Sequence, residues 1–228
     1  MPHPAPPLRL RAAVFDAYGT LLDVHAAVAR HAARLGEAAA PVSALWRSKQ
    51  LEWSWMLSAT GAYEPFWSLT DRALGHALAV HGIADTGLRA DLLAAYRELD
   101  AYPDAAPMLA ALRGRGLGTA ILSNGSPEML QAAVEAGGLA PLLDDVLSVH
   151  PLRCFKPDRR VYALATARFT CQPHEIAFVS SNAWDAYGAM RFGFRTFWVN
   201  RAGAPVEYWL DETAMILPGL AALPAVLA

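Results

Sequence analysis

The chain of 228 residues has no marked excess of charge of either sign. Lysine and arginine number 19, aspartate and glutamate 21, for a net charge of -2. That balance gives no electrostatic footprint for nucleic acid, so any positive charge at a site must be local. Cysteine is scarce: Cys154 and Cys171 are too few for a disulfide framework or a metal cluster, and read as free thiols in a reduced cytosol. The seven histidines are scattered without metal-ligand spacing. There is no G-x-S-x-G elbow and no Cys/His signature. The glycines at 114, 116 and 118 precede a strand instead of following one, which reads as a helix stop and turn rather than a dinucleotide loop. Residues 1–7 are proline-rich, lack the apolar core of a signal peptide and read as a loose tail. The apolar stretch 215–228 is broken by Pro218 and Pro224 and falls short of the ~20 apolar residues a bilayer span needs. A cytoplasmic protein is expected, with neither nucleic acid nor membrane as partner.

What is present is a large apolar share, 54% against 18% charged, enough to fill a core. Near the front, Ala12 to Phe15 reads as a buried strand that ends on a carboxylate, Asp16, with a Gly19-Thr20 turn just after. A charge at the tip of a buried strand is costly unless something pairs or uses it. In open α/β sheets, ligands bind outside the carboxyl ends of the strands. Asp16 is therefore a candidate site residue.

Helical patterns then fill roughly 24–100: Val24–Leu35, Val42–Ala59, Glu64–His81 and Gly87–Leu99, with no convincing strand among them. A parallel crossover usually needs one helix, so four read as a helical domain inserted after the first strand. From Tyr102 onward strands alternate with helices. Strands are expected at Leu117–Leu122, Val146–Val149 (weakly), Ile176–Val179 and Thr196–Val199. Helices are expected at Ala106–Arg113, Pro127–Ala136, Asp158 to about Arg168, and around Trp184-Asp185. The fold class is α/β, a Rossmann-like doubly wound parallel sheet with an inserted helical cap. The expected division is a core of residues 8–22 and 101–228 and a cap of 23–100.

Asp16, Ser123, Asn124, Ser180 and Asn182 all fall just past strand ends, and Lys156 lies in the loop after another. In a parallel sheet those tips share one edge. Singly, serine and asparagine there are ordinary turn or N-cap residues; as a set with an acid and a lysine, they read as a site.

These residues carry a resemblance. Phe15-Asp16-Ala17-Tyr18-Gly19-Thr20, Leu122-Ser123-Asn124-Gly125, Lys156-Pro157 and Val179-Ser180-Ser181-Asn182-Ala183-Trp184-Asp185 resemble the four motifs of the haloacid dehalogenase superfamily. Trp46-Arg47-Ser48-Lys49-Gln50-Leu51-Glu52, Tyr63-Glu64-Pro65-Phe66 and the run from Lys156 to Tyr162 resemble, more narrowly, the L-2-haloacid dehalogenases, and the likeness covers about residues 8–200. It implies hydrolysis of short-chain L-2-haloacids to D-2-hydroxyacids and halide, through an ester on Asp16 and with inversion at C2. Catalytic roles are implied for Asp16, Thr20, Arg47, Ser123, Lys156, Tyr162, Ser180, Asn182 and Asp185. Arg47 and Asn124 would hold the halide. Leu51, Phe66 and Trp184, with Ala17 and Tyr18, would contact the substrate.

Apart from the resemblance, Arg47 reads as a solvated cation, Leu51 and Phe66 as core or interface, Trp184 and Tyr162 as packing, and Asp185 as a helix-dipole partner. Trp53, Trp55 and Tyr63 suit either a homodimer surface, which the resemblance implies, or insert core.

Most of the superfamily are Mg²⁺-dependent phosphatases with a second Asp where this chain has Tyr18 and an acidic residue where it has Ser180-Ser181. No metal and no cofactor are expected, because Lys156 can supply the positive charge beside Asp16. A phosphatase and a non-catalytic binding homologue are the alternatives. His150-Pro151, Cys154-Phe155 and Tyr187 depart from the family pattern and are expected to reshape the pocket mouth.

Overall fold

A computed structural model describes residues 10–227; the expected tail at 1–7 lies outside them. The first strand, β1 (Ala12–Phe15), is buried along its whole length, which explains why none of its residues is polar. Helices α1 (Ala26–Arg30), α2 (Ala32–Leu35), α3 (Ala39–Thr60), α4 (Phe66–Val80) and α5 (Thr86–Arg97) follow it. Then come α6 (Ala105–Gly114), β2 (Gly118–Ser123), α7 (Pro127–Ala136), β3 (Asp145–Ser148), α8 (Arg159–Phe169), β4 (Ile176–Ser180), α9 (Ala183–Phe192) and β5 (Arg195–Val199). The described chain closes with α10 (Leu210–Thr213), β6 (Met215–Leu217) and α11 (Leu223–Val226).

The sheet has six parallel strands in the order β3-β2-β1-β4-β5-β6. From β1 the chain winds outward to β2 and β3, then crosses back to β4 on the other side of β1. The winding direction reverses between β1 and β4, and this switch point opens a crevice beyond their carboxyl ends. Phe15, the last residue of β1, pairs with Ile121 on one side and Val179 on the other. The residue after it, Asp16, therefore stands at the crevice.

Several element boundaries differ from the sequence expectation. The helix expected over 24–35 breaks at His31 into α1 and α2. Leu35 is the only buried residue of α2, so little apolar burial fixes this turn to its neighbours. Helix α3 starts at Ala39 rather than Val42, because Pro41 falls in its first turn, where a missing N–H costs nothing. Strand β5 is not the last: β6 extends the sheet. It has three residues, two of them exposed at the edge, too short for a periodic signal. Edge strand β3 is only half-buried throughout, which accounts for its weak pattern.

Helices α3 and α4 form the body of the insert. Trp46, Gln50 and Ser54, spaced by four, make the buried face of α3. Trp46 Nε1 donates to the Thr70 carbonyl (2.8 Å) and Gln50 Nε2 to Thr70 Oγ1 (2.9 Å). The adjacent stripe, one residue on, carries Arg47 and Leu51. Pinning the first stripe fixes where the second one points.

Candidate active site

The turn after β1 builds the floor of the site. The carbonyl of Ala17 accepts the N–H groups of Thr20, Leu21 and Leu22 (3.2, 2.9 and 3.0 Å). Gly19 takes φ +88°, a left-handed conformation that a side chain would strain. The tight loop brings Thr20 back onto Asp16, and Thr20 Oγ1 donates to Asp16 Oδ2 (3.1 Å). Asn182, the N-cap of α9, donates from Nδ2 to the same oxygen (2.8 Å) and to the Tyr18 carbonyl (3.2 Å).

Lys156 reaches the other oxygen of Asp16: its Nζ lies 3.1 Å from Asp16 Oδ1 and 2.8 Å from Asp185 Oδ2. All three charged groups are buried. Tyr162 donates from its hydroxyl to Asp185 Oδ1 (2.8 Å). Burial alone would depress the Lys156 ammonium, but the two carboxylates outweigh it and hold its pKa above the ordinary lysine value. Burial pushes the Asp185 carboxyl up to about 6, although Lys156 and the Tyr162 hydroxyl pull it back. The Tyr162 hydroxyl lies well above the ordinary tyrosine range, through burial first and Asp185 second, and stays a proton donor.

Above this cluster is a small, tightly closed pocket lined by Asp16, Tyr18, Arg47, Leu51, Phe66, Ser123, Asn124 and Trp184. All eight belong to the set expected from the sequence. Arg47 donates from Nη2 to the Tyr18 carbonyl (3.2 Å) and to Asn182 Oδ1 (3.4 Å). Asn124 Oδ1 accepts the Lys156 backbone N–H (2.9 Å), which leaves its amide nitrogen without a bond among the described residues. Trp184 packs its ring edge-on against Trp55 (5.4 Å). The Tyr18 hydroxyl is buried without a hydrogen-bond partner among the described residues, its ring stacked on Tyr96 (5.8 Å).

Other expected site residues lie outside this pocket. Ala17 is fully buried and does not line it; its carbonyl serves the turn. Ser180 makes no hydrogen bond to Asp16 among the described residues. Its Oγ accepts the Asn182 N–H (3.1 Å) and so acts on Asp16 through Asn182. Ser123 Oγ accepts the Gly125 N–H (3.2 Å), so it serves the turn as well as the pocket wall. Tyr162 stands behind Asp185. Of the three family departures, His150, Cys154 and Tyr187 stand outside the lining, Phe155 meets Phe66 of the pocket wall edge-on (5.8 Å), and Tyr187 stacks on Tyr208 (5.4 Å).

Arg201 was missed by sequence reasoning. It donates to Ser181 Oγ (2.9 Å) and the Thr20 carbonyl (3.1 Å), pairs with Asp104 (3.2 Å) and lies 3.9 Å over the Tyr102 ring. It braces the turn that carries Thr20. Its signal was its place just beyond β5, the tip position that marked Asn124 and Asn182. Gly188 was also missed: a β-carbon there would collide with the Tyr162 hydroxyl and with Pro157.

A buried carboxylate at the switch point of a parallel sheet, paired with a lysine and roofed by helices, defines a doubly wound α/β protein with a carboxylate-centred candidate active site. The model of the haloacid dehalogenase-like hydrolases matches residues 10–193. The chain is 52% identical to (S)-2-haloacid dehalogenase 4A of Burkholderia cepacia over 87% of each chain. A solved dehalogenase structure with an intermediate complex superposes with a TM-score of 0.94 at 49% identity, covering 96% of this chain and 97% of that one. The L-2-haloacid dehalogenase from Xanthobacter autotrophicus, solved with chloropropionic acid covalently bound, superposes with a TM-score of 0.86 at 37% identity, covering 96% and 98%. The chain belongs to the haloacid dehalogenase-like hydrolases and, within them, to the (S)-2-haloacid dehalogenases.

Proposed function

We propose that the chain hydrolyses short-chain L-2-haloacids to D-2-hydroxyacids and halide through an ester on Asp16. One observation carries this reading: the Asp16 carboxylate, held by Lys156, Thr20 and Asn182, faces a small pocket with a guanidinium, an amide and apolar walls. The apolar side chains of Leu51, Phe66 and Trp184 close tightly around the carboxylate, which suits a short acid.

One Asp16 oxygen forms a bond to C2 from the face opposite the halogen. The carbon–halogen bond breaks and halide leaves with the electron pair, inverting C2. Arg47 and Asn124 stabilise the charge that grows on the departing halide, while Leu51, Phe66 and Trp184 exclude water and fit the alkyl group. Ser123, on the pocket wall, holds the substrate carboxylate, and Lys156 holds Asp16 ionised. Water then attacks the ester carbonyl carbon and gives its proton to Asp185, whose carboxyl at about 6 suits that transfer. Thr20 and Asn182 bond Asp16 Oδ2, the oxygen equipped with donors for the negative charge of the tetrahedral intermediate. Collapse of the intermediate breaks its bond to the alkyl oxygen, which takes the proton back from Asp185 and leaves as the hydroxyl of the product, while the regenerated Asp16 carboxyl releases its remaining proton to solvent.

The residues do not fit Mg²⁺, which wants several hard oxygens. The Lys156 ammonium bridges the two carboxylates, and Tyr18 stands where a phosphatase would place a second acid. Catalysis without metal belongs to the proposal. So does the division into a core, 8–22 and 101–228, and a cap, 23–100. It is supported by the pairing of Leu22 with Ala101 and by the Asp23 N–H on the Asp100 carbonyl (2.8 Å), where the insert leaves and rejoins. A cytoplasmic homodimer completes it. Exposed Trp55 and Met56 on α3 support the dimer, and two free thiols support a reducing compartment. No helix among the described residues is long and apolar enough to cross a membrane.

The deciding experiment is halide release from L- and D-2-chloropropionate in EDTA. Release from the L form alone is expected. Release from neither would overturn the reading and turn attention to phosphate esters with Mg²⁺.

A further inference from the structure

Two features without a role in the pocket meet each other. Tyr63 lies in the turn between α3 and α4, and His150 opens the short 3₁₀ turn after β3. The Tyr63 hydroxyl and His150 Nδ1 share a hydrogen bond of 3.0 Å. The Tyr63 ring packs on Phe155 (5.1 Å), with the Arg153 guanidinium 5.2 Å over it. One turn earlier in the insert, Ser58 Oγ accepts the backbone N–H of Phe155 (2.9 Å).

Phe155 immediately precedes Lys156. Its own ring meets Phe66 of the pocket wall edge-on at 5.8 Å. The next N–H, that of Lys156, goes to Asn124. The backbone that carries Lys156 is thus gripped from the insert by Ser58 and Tyr63 and from the sheet by Asn124.

The segment between needs such a grip. It is neither helix nor strand: a 3₁₀ turn at His150–Leu152 leads into Arg153 at φ +51°, a conformation uncommon for a residue with a side chain. A lysine stem is long and flexible. Its ammonium stays between two carboxylates only if the base of the stem is fixed.

We propose that Ser58 and Tyr63 are positioning residues that clamp residues 150–155 and so hold the Lys156 ammonium between Asp16 and Asp185. The clamp rests on the dehalogenase reading only in taking Asp16 as the nucleophile. It also gives His150 a purpose as the partner of Tyr63, and it makes Lys156 sensitive to the position of the insert.

The test uses Ser58→Ala, Tyr63→Phe and the double variant of the full-length chain. Ser58→Thr serves as the hydroxyl-retaining rescue. Thr60→Ala serves as a control, since among the described residues the Thr60 hydroxyl bonds only the Met56 carbonyl within α3. Amide exchange at Phe155 should quicken about tenfold in Ser58→Ala, the loss of one hydrogen bond. The Asp185 carboxyl, which faces Lys156, Tyr162 and Asp16, is followed by carbon NMR. Its midpoint should rise in the double variant relative to the unaltered chain as the ammonium moves away. The kcat for L-2-chloropropionate should fall about tenfold with a smaller change in KM. Ser58→Thr should restore all three, and Thr60→Ala should move none.

An unchanged Phe155 exchange rate, or a faster one with the Asp185 midpoint and kcat unmoved, would overturn the clamp. If the unaltered chain releases no halide, the dehalogenase reading fails by itself. Phe155 exchange and the Asp185 titration then still decide whether the clamp holds Lys156.

Discussion

The two sides of the pocket are built differently. On the sheet side, Asp16, Lys156, Asp185, Asn182 and Thr20 bond one another and lie largely out of solvent. On the helical side, Leu51 and Phe66 present apolar surface, and Arg47 makes two long hydrogen bonds to the sheet side, at 3.2 and 3.4 Å. One side is assembled in advance and the other is held loosely. A nucleophile gains from being fixed before substrate arrives, because nothing then has to reorganise during reaction. A group that must grip a departing ion gains from bonds that the ion can replace. Charge on the sheet side is neutralised within the protein; charge on the helical side is available to substrate.

This contrast can be broken from either side. The largest effect is expected from Asp16→Asn, which should lower halide release by about 10⁴-fold or more while circular dichroism shows an unchanged fold. Substantial turnover would remove Asp16 as nucleophile. Arg47→Ala should cost about 10²–10³-fold, mostly in kcat, because its contact strengthens as charge develops on halide. A change confined to KM would make Arg47 a plain binding group. It should hardly alter the urea midpoint, since Arg47 is half-buried and weakly bonded. Lys156→Met should destabilise the fold by about 3–5 kcal/mol in urea unfolding, because it strands two buried carboxylates. A loss no greater than that of Arg47→Ala would contradict the contrast. The smallest effect concerns pH. Asp185 must be ionised to pair with Lys156 and accept a proton, so kcat should fall as pH drops through about 6. Tyr162 holds that pKa down by bonding the ionised form. Tyr162→Phe should therefore shift the acid limb upward, and a downward shift would reverse the assigned role.

The sheet side was the more legible half in the sequence, for a physical reason. A polar residue directly after an apolar strand is a local contrast, and parallel pairing gathers such residues on one edge whatever lies between them. Asp16, Asn124 and Asn182 could be read in that way. The resemblance was needed for Arg47, Leu51 and Phe66, since a helix face does not reveal what it faces. Arg201 stayed hidden because its partners, the Thr20 carbonyl and Ser181, are ordinary until the turn folds. Tyr63 and His150 stayed unpaired because a single contact across 87 residues leaves no periodic trace. Ala17 was carried along with its motif, and only its buried position separates it from the pocket.

The side chain of Asn182 joins the two halves, and its wiring has a polarity. Its nitrogen serves Asp16 and the Tyr18 carbonyl, while its oxygen receives Arg47. Flipping the amide would oppose acceptor to acceptor at one end and donor to donor at the other. Deamidation to aspartate would preserve the shape and replace the donor with a negative oxygen against the Asp16 carboxylate. The Asn182 arm of this junction thus depends at its Asp16 end on one NH₂ group, while Arg47 also reaches the Tyr18 carbonyl directly. Slow chemical ageing at that amide would take one of the two donors from Asp16 Oδ2 and leave the Arg47 contacts in place.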